Sequence, residues 1–492
     1  MFKKILIIVP VVLIVALAGG YGLYKVTGAR IGLDGGMRPR FVQLPPDYAS
    51  LEADRARQQA EAAKTTAQSG APGTASPAAA ASDGSRSGEA TGASPGETAV
   101  DGSAASRGYW PDFRGPSRDG RYVGPPIRTD WPRGGLPRLW KQPVGLGYAS
   151  FVTANGRAFT IEQRRRQEVV AAYDIESGRE IWTHGWDAQF VEYMGGDGPR
   201  ATPTYHEGRI YALGAIGELR CLDARTGALI WRHDILAENG AANIQWGMAG
   251  SPLIVDNAVI VLPGGPRGHS VAAYDKKTGQ PMWQAQDDEA GYTSPMLVTL
   301  GGVRQLLIVS ASRAIGLTVD AGRLLWDYPW VTNQGINVSQ PLVLGNDRVF
   351  LSAGYDHGAA VVEVSRTGDR FTTRRIWENN RMKNKFTSSV LLNGYIYGLD
   401  EAILACIDAA TGDLKWKGGR YGYGQVLLAG DHLIVLTEDG DLVLVKATPE
   451  RHVEVATFPA IDGKTWNHPM IADGRLLVRN LQEMAAFDIR VP

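Results

Sequence analysis

The chain has 492 residues, which suggests about three average domains unless the chain is built from repeats. It contains 60 Gly and 13 Trp, a composition that excludes collagen-like and disordered chains and favours short strands joined by tight turns. Basic and acidic residues number 51 each, so the net charge is zero and nothing indicates a nucleic-acid binder. Two cysteines, Cys221 and Cys406, exclude a disulfide framework.

The N-terminus carries the pattern of a membrane segment. Lys3 and Lys4 precede Ile5–Tyr24, an uncharged run long enough to cross about 30 Å of hydrocarbon. The run favours an uncleaved single-pass anchor over residues 1–30, although Ala16–Ala18 resembles a cleavage site and a signal peptide is the alternative. An anchor and a signal peptide both lead to export of the rest of the chain, so we expect that part on the periplasmic or extracytoplasmic side of the cell membrane.

Residues 31–108 have the composition of a spacer. Residues 46–68 are rich in Ala, Glu, Arg and Gln and predict a short exposed helix. Residues 69–108 consist mainly of Ala, Gly, Ser, Thr and Pro, which cannot bury enough apolar surface to offset the entropy of ordering. We therefore expect a disordered linker that holds a folded domain, residues 109–492, away from the bilayer.

One motif recurs in that domain: a small apolar residue, any residue, Asp, two residues, Ser or Thr, Gly, three residues and Trp. The Asp can accept hydrogen bonds from N–H groups two and three residues on, and the Gly supplies a left-handed turn residue, so each copy predicts a hairpin. The Asp and Trp positions include Asp174 and Trp182, Asp223 and Trp231, Asp275 and Trp283, and Asp408 and Trp416, with degenerate copies ending at Trp326, Trp377 and Phe458.

Counting the copies gives eight strands of the Asp type and eight of the Trp type. A spacing of roughly 40 to 50 residues is typical of propeller blades with four strands each. Trp140 precedes every Asp strand, whereas no Trp follows the last one at Asp488. We therefore predict an all-β, eight-bladed β-propeller in which Pro137–Pro143 forms the outer strand of the last blade and closes the ring.

The repeat resembles that of the pyrroloquinoline quinone (PQQ)-type β-propellers over residues 109–492. The entry segment, Trp110–Pro116 with Arg118–Gly120, looks like the leader of exported PQQ-like proteins. The resemblance implies one of two roles. One is that of a quinoprotein dehydrogenase, and the other is that of a non-enzymatic propeller, such as the subunit of the outer-membrane β-barrel assembly machine. The repeat builds blades rather than sites, so it does not choose between them.

The loops that precede the inner strands are rich in aromatic and polar side chains. In a propeller these loops meet at one end of the channel, where amphipathic rings form a surface for a ligand or a peptide. The alternative is that the rings only fill the space between loops. The candidate residues at the channel mouth are Tyr193, Arg200, Trp246, Met248, Trp330, Asn337, Lys385, Tyr423, Trp466 and Asn467.

The resemblance to the dehydrogenases implies a bound PQQ, a calcium ion held by carboxylate and amide oxygens, and a carboxylate base. The adjacent cysteine pair of those enzymes is missing, and the channel-side carboxylates Glu192, Asp197 and 287–289 match no motif. We therefore expect no catalytic residue, no metal and no cofactor.

The sequence favours a non-catalytic propeller of the cell envelope that binds or scaffolds other envelope proteins, similar in role to outer-membrane assembly factors. The channel-mouth face, or an exposed strand that pairs with a partner strand, would make the contact. Two alternatives stay open: a PQQ-dependent dehydrogenase of alcohols or sugars, and a propeller that binds a carbohydrate or another small ligand in its funnel.

Overall fold

The computed structural model describes residues 29–33, 39–43, 48–69 and 109–492. The predicted anchor, Ile5–Tyr24, and residues 70–108 of the predicted linker lie outside these ranges. Within them, no helix combines the length and the hydropathy that a membrane crossing requires.

Five elements come before the first blade. They are the antiparallel hairpin β1 (Ala29–Leu33) and β2 (Pro39–Gln43), helix α1 (Tyr48–Ser69), and the strands β3 (Arg121–Tyr122) and β4 (Arg138–Pro143).

The first four blades are antiparallel four-stranded sheets. Blade 1 contains β5 (Val152–Ala154), β6 (Arg157–Arg164), β7 (Gln167–Asp174) and β8 (Glu180–Asp187); blade 2 contains β9 (Thr204–His206), β10 (Arg209–Leu213), β11 (Glu218–Asp223) and β12 (Leu229–Asp234), which is followed by the one-turn helix α2 (Ile235–Glu238); blade 3 contains β13 (Leu253–Val255), β14 (Ala258–Val261), β15 (Val271–Asp275) and β16 (Pro281–Ala285); blade 4 contains β17 (Met296–Leu300), β18 (Val303–Val309), β19 (Arg313–Leu317) and β20 (Leu324–Pro329).

The next four blades repeat this plan after a short 3₁₀ turn at Asn333–Gly335. Blade 5 contains β21 (Leu342–Leu344), β22 (Arg348–Ala353), β23 (Gly358–Thr367) and β24 (Arg370–Asn379); blade 6 contains β25 (Val390–Leu392), β26 (Tyr395–Asp400), β27 (Ile403–Asp408) and β28 (Leu414–Arg420); blade 7 contains β29 (Gln425–Ala429), β30 (His432–Leu436), β31 (Asp441–Lys446) and β32 (Glu454–Pro459); blade 8 contains β33 (Met470–Ala472), β34 (Arg475–Arg479) and β35 (Glu483–Asp488) together with β4.

The structure confirms the predicted closure of the ring. Strand β4 pairs antiparallel with β35 and places Trp140 opposite Ala486, so blade 8 joins the two ends of the folded region. The prediction of eight blades is also correct. The sequence analysis missed β3, which adds a fifth, parallel strand to blade 7, because two residues are too few to show a period.

Each repeat motif folds as a hairpin turn held by its Asp. In blade 2, Asp223 Oδ1 accepts hydrogen bonds from the backbone N–H groups of Arg225 at 3.1 Å and Thr226 at 2.8 Å. The following Gly227 has φ +76°, a left-handed conformation that a residue with a side chain adopts only at a cost.

In most blades the Trp of the outer strand connects the blade to the turn of the next blade. The indole N–H of Trp182 in blade 1 donates to the carbonyl of Ala224 in blade 2 at 3.2 Å. A Cβ atom on Gly227 would lie 2.6 Å from the same indole, so this glycine is required by packing as well as by its φ angle. Trp283 and Trp326 depart from this pattern: Trp326 donates to Gln305 in its own blade, and the buried Trp283 N–H has no partner among the described residues.

The same contact operates at the junction of the ring. Trp140 of blade 8 donates to the carbonyl of Ile175 in blade 1 at 3.0 Å, and its indole lies against Gly178. On the other side, Phe458 of blade 7 packs against Gly135, which precedes β4. The N-terminal segment therefore completes the contacts to both neighbouring blades.

Opposite most of these Trp residues stands a small residue of the third strand. Trp182 faces Ala172, Trp231 faces Cys221 and Trp416 faces Cys406. Both cysteines are free and fully buried in different blades, which fits a packing position rather than a reactive one.

Helix α1 lies against the outside of the junction between blades 8 and 1. Its prediction as an exposed helix is wrong for one face, since Leu51, Arg55 and Gln58 are buried. Arg55 donates to the carbonyl of Pro143 at 2.8 Å and pairs with Glu180 at 3.1 Å, so the helix bridges β4 and β8. Polar contacts hold this face, which explains why the hydrophobic pattern did not reveal it.

The entry segment crosses the central channel as a plug. Arg118 is buried and donates to the backbone carbonyls of Ser251 at 3.1 Å and Pro295 at 2.9 Å, in front of blades 3 and 4. Arg114 donates to the carbonyl of Ser389 at 2.8 Å in front of blade 6. Two arginines thus satisfy carbonyl groups on both sides of the channel.

We predict that Trp140→Ala lowers the free energy of unfolding by about 3–5 kcal/mol, because it leaves a large cavity and removes the contact between blades 8 and 1. Urea denaturation followed by intrinsic fluorescence measures the change. The matched control is Leu139→Ala on the same strand, where the side chain is 39% exposed and the loss should be small. Equal losses in the two variants would contradict closure of the ring at this strand.

Candidate functional site at the channel mouth

A cavity of about 530 Å³ opens at the loop end of the channel; we call it the funnel. Residues at or just before the start of all eight inner strands line it, and Phe113 of the plug contributes to the lining. The plug therefore closes the channel below the funnel. Seven aromatic rings line the cavity: Phe113, Tyr148, Trp246, Tyr292, Tyr355, Phe386 and Trp466.

The structure brings four of the ten predicted channel-mouth residues into the funnel lining: Arg200, Trp246, Lys385 and Trp466. Tyr193 lies outside the cavity on its rim, where it is 73% exposed. Tyr423 is buried behind the lining and donates its hydroxyl to Glu401 at 3.0 Å.

The other four predicted residues belong to loop packing instead. Met248 and Trp330 are buried in the apolar cores between blades. The side-chain amide of Asn337 donates to the carbonyl of Ser310 at 2.8 Å, and that of Asn467 donates to the carbonyl of Ala149 at 2.9 Å. Loops buried between blades need apolar contacts and partners for their carbonyl groups, and these four side chains supply them.

Sequence reasoning missed five of the lining rings. Tyr148, Tyr292 and Phe386 precede inner strands, so the rule that selected the other candidates applies to them as well. Phe113 comes from the plug and Tyr355 from the turn between β22 and β23, and no repeat motif indicates that either segment reaches the funnel.

The charge of the lining has one sign. Arg200 and Lys385 contribute cations, and no Asp or Glu is among the described residues that line the cavity. The Arg200 guanidinium lies 4.5 Å from the ring centroid of Phe190, and Lys385 Nζ lies 4.7 Å from that of Tyr355. Cation–π contacts of this kind hold the two cationic groups against aromatic rings.

The carboxylates predicted on the channel side hold loops together instead. Glu192 accepts hydrogen bonds from the N–H groups of Met194 at 3.0 Å and Gly196 at 3.3 Å. Asp288 forms a buried ion pair with Arg313 at 2.7 Å. Both carboxylates therefore stabilise the structure of their own loops.

The described residues do not fit the calcium and quinone site that the resemblance to dehydrogenases implies. They contain no group of three or more His, Cys, Asp or Glu side chains that could hold a metal ion. Calcium prefers several oxygen ligands, mainly carboxylates, and the lining offers cations in their place.

One buried carboxylate near the funnel lacks a full set of partners. Glu168, at the start of β7, accepts a hydrogen bond from the Ala215 N–H at 2.8 Å through Oε1. Its Oε2 has no partner among the described residues. Burial disfavours the charged form and raises the pKa of Glu168 to about 7.

Comparisons with known proteins show which family the chain belongs to. A family model described as outer membrane protein assembly factor BamB matches residues 166–418, which are 253 of the 492 residues. The chain belongs to this family. BamB from Burkholderia pseudomallei is 22% identical to this family member over 370 residues, which cover 66% of this chain and 91% of that protein. BamB from Moranella endobia is 25% identical over 258 residues, 49% of this chain and 63% of that protein.

The sequence similarity of this BamB-family chain to quinoproteins covers a shorter part of the chain. The quinohemoprotein alcohol dehydrogenase ADH-IIG from Pseudomonas putida is 31% identical over 124 residues, 24% of this chain and 16% of that enzyme. The crystal structure of BamB from Moraxella catarrhalis has a TM-score of 0.51 at 16% identity, covering 73% of this chain and 98% of that one. The structure of ADHIIG has a TM-score of 0.56 at 13% identity, covering 78% and 80%. At these identities the structural likeness shows a shared propeller fold.

We predict that Glu168→Gln stabilises the protein at pH 8. The pKa of Glu168 in the folded state, about 7, lies above its ordinary value of 4.5, so ionisation costs stability as the pH rises. The gain should be about 1–3 kcal/mol at pH 8, since one pKa unit corresponds to about 1.4 kcal/mol, and it should shrink at pH 5. Thermal and urea denaturation at the two pH values measure it.

The matched control is Glu162→Gln on the neighbouring strand. Burial also opposes the charge of Glu162, but Arg164 and Arg479 outweigh it and keep its pKa below the ordinary value. Removing this charge should therefore destabilise the protein at pH 8. A loss of stability in both variants would contradict the assignment of Glu168.

Proposed function

We propose that this chain is a non-catalytic propeller of the cell envelope that binds or scaffolds other proteins, similar in role to the outer membrane protein assembly factors of its family. One observation carries the proposal. The sequence match to the Burkholderia pseudomallei assembly factor extends over 91% of that protein, whereas the match to the alcohol dehydrogenase covers 16% of the enzyme.

The rim of the funnel supplies a surface for a protein partner. Val191 and Tyr193, in the loop before blade 2, are 61% and 73% exposed, and Val331, in the loop before blade 5, is 65% exposed. Large apolar side chains held in water around a concave site are typical of protein interaction surfaces. Both loops also contribute to the funnel lining, so rim and cavity form one face.

The proposed location follows from the N-terminal sequence. An apolar run at Ile5–Tyr24 would anchor the chain in the membrane and leave the propeller on the extracytoplasmic side. Helix α1 is docked on the junction between blades 8 and 1, so an anchored chain would be connected to the propeller wall through this helix.

The proposal predicts capture of partners by the rim and not by the opposite end of the propeller. A photo-crosslinking amino acid at Tyr193 should yield discrete crosslinked products in intact cells. The control position is Arg225, which is exposed in the turn between β11 and β12 at the other end of blade 2. The same products from both positions, or none from Tyr193, would count against the proposed binding face.

The proposal also predicts that PQQ and calcium confer no dehydrogenase activity. The funnel lining lacks carboxylates among its described residues, so nothing there would hold the calcium ion or accept a proton from an alcohol. Purified protein incubated with both should reduce no dye with ethanol or glucose as substrate. Dye reduction above that of a blank with PQQ and calcium alone would support the dehydrogenase alternative.

A further inference from the structure

Helix α1 runs along the outside of blade 1 in a defined direction. Near its start, Glu52 accepts a hydrogen bond at 2.8 Å from Arg165, in the turn between β6 and β7. Further along the helix, Glu61 accepts one at 2.8 Å from Arg179, in the repeat turn between β7 and β8. The two turns lie at opposite ends of β7, so the helix connects the end with the funnel, the funnel end, to the end with the repeat turns, the repeat-turn end.

The helix begins at the funnel end. The hydroxyl of Tyr48 donates to the carbonyl of Gln163 at 3.4 Å. Gln163 also exchanges backbone hydrogen bonds with Leu146, at 3.0 and 2.7 Å, and Leu146 stands just before the funnel-lining Tyr148. The chain that precedes α1 therefore leaves the propeller beside the funnel and not beside the repeat turns.

The connection between the proposed anchor and α1 is short. In the hairpin of β1 and β2, Ala29 pairs with Gln43, so the two ends of the hairpin lie side by side. The remaining chain, from Tyr24 to Ala29 and from Gln43 to Tyr48, spans at most about 40 Å together with the width of the hairpin, whatever its conformation. The membrane and the funnel end are therefore close to each other in an anchored chain.

Residues 70–108 do not lengthen this connection, because they follow α1. At their far end, the ring centroid of Tyr109 lies 6.3 Å from that of Tyr205, whose hydroxyl accepts a hydrogen bond from Asn155 at 2.9 Å. Asn155 lies in the turn between β5 and β6, at the same end as the repeat turn of blade 1. Residues 70–108 thus join two points at the repeat-turn end, away from the funnel.

We propose that the funnel end of the propeller faces the membrane that holds the anchor, and that it docks there on the extracytoplasmic part of an integral membrane protein. The inference rests on the proposed function and adds the orientation of the propeller and the location of its partner. A connection of at most about 40 Å keeps the funnel end near the bilayer and raises the effective concentration of partners in that membrane. The repeat-turn end is farther away by the height of a blade.

The rim of the funnel provides an apolar contact for such a partner. Val191, Tyr193 and Val331 are 61%, 73% and 65% exposed. They lie on the face that the connection turns toward the membrane, so a membrane protein docked there would cover them. Burial of these side chains stabilises the complex through the hydrophobic effect.

Charged residues at the funnel end favour a protein over the lipid surface itself. Asp287 and Asp356 are exposed there, together with Arg267 and Arg381. Binding to anionic headgroups is driven by clusters of Lys and Arg, and exposed carboxylates oppose it. A protein partner can match charges of both signs.

Energy transfer tests the orientation in the full chain, reconstituted into vesicles that contain a lipid-linked acceptor dye. Cys221 and Cys406 are fully buried, so a donor dye can be attached selectively through Tyr193→Cys at the rim or Arg225→Cys in the repeat turn of blade 2. We expect transfer about twice as efficient from position 193 as from position 225, because an eight-residue strand such as β6 is about 26 Å long.

A charge change in α1 tests whether the docked helix sets the orientation. Arg55→Glu places a carboxylate beside Glu180, with which Arg55 pairs, and should release the helix from blade 1. The difference in transfer should then vanish, because residues 44–108 would all become part of the connection. The matched control, Arg57→Glu, makes the same change at a side chain that is 68% exposed and should preserve the difference. Thermal melting shows whether both variants are folded.

The location of the partner is tested with a variant that lacks residues 1–28 and is exported behind a cleavable signal peptide. A photo-crosslinking amino acid at Tyr193 should capture a protein, and the product should stay with the membranes after an alkaline carbonate wash. Since this variant has no anchor, only an integral partner can hold the product there. The same amino acid at Arg225 is the control and should not yield this product.

Several results would overturn the inference. Equal transfer from the two positions in the unmodified α1 background, or stronger transfer from position 225, would refute the orientation, whatever the α1 variants show. Release of the crosslinked product by the carbonate wash would refute an integral membrane partner while leaving the proposed scaffold role intact. Strong transfer from position 193 with no protein crosslinked there would assign the rim to the lipid surface and refute the scaffold role itself. Failure of the full chain to associate with vesicles would remove the anchor, and the orientation with it.

Discussion

The contact between one blade's outer-strand indole and the next blade's turn determines much of this structure. The turn glycine lets the chain reverse and leaves room for the ring, while the indole N–H satisfies a carbonyl just after the repeat Asp. In most blades the contact runs to the next blade, so it helps to set the spacing between blades. Trp140 of the N-terminal strand makes the same contact with the Ile175 carbonyl of blade 1, so this strand helps to hold the ring together.

The two ends of the ring carry different features. The repeat turns lie at one end of the blades, and the loops before the inner strands lie at the other. The second set of loops carries residues of both kinds: Met248 and Trp330 are buried in the cores between blades, whereas Arg200 and Trp246 line the funnel. The plug has two roles. Arg114 and Arg118 donate hydrogen bonds to backbone carbonyl groups around the channel, and Phe113 completes the lining of the funnel above them. A rigid ring thus presents a preformed cavity.

The sequence predicted the ring well and the funnel only in part, for one physical reason. The blade count and the closure depend on a local motif that recurs with the same geometry, so its copies can be counted. The fate of a loop residue depends on the neighbouring blade: Trp330 and Trp246 come from similar loops, yet one is buried in a core and the other lines the cavity. Helix α1 shows the same limit, since Arg55 is buried by an ion pair and no apolar pattern marks its contact face.

The propeller fold is common to assembly factors and to quinoproteins, so the difference in role has to lie in the loops. A calcium and quinone site needs carboxylate oxygens that face the funnel. Here Glu192 caps its own loop and Asp288 pairs with Arg313, and the charges left to face the cavity are Arg200 and Lys385. The acids of these loops are thus used by the loops themselves and do not line the cavity, on a ring of blades that both kinds of protein share.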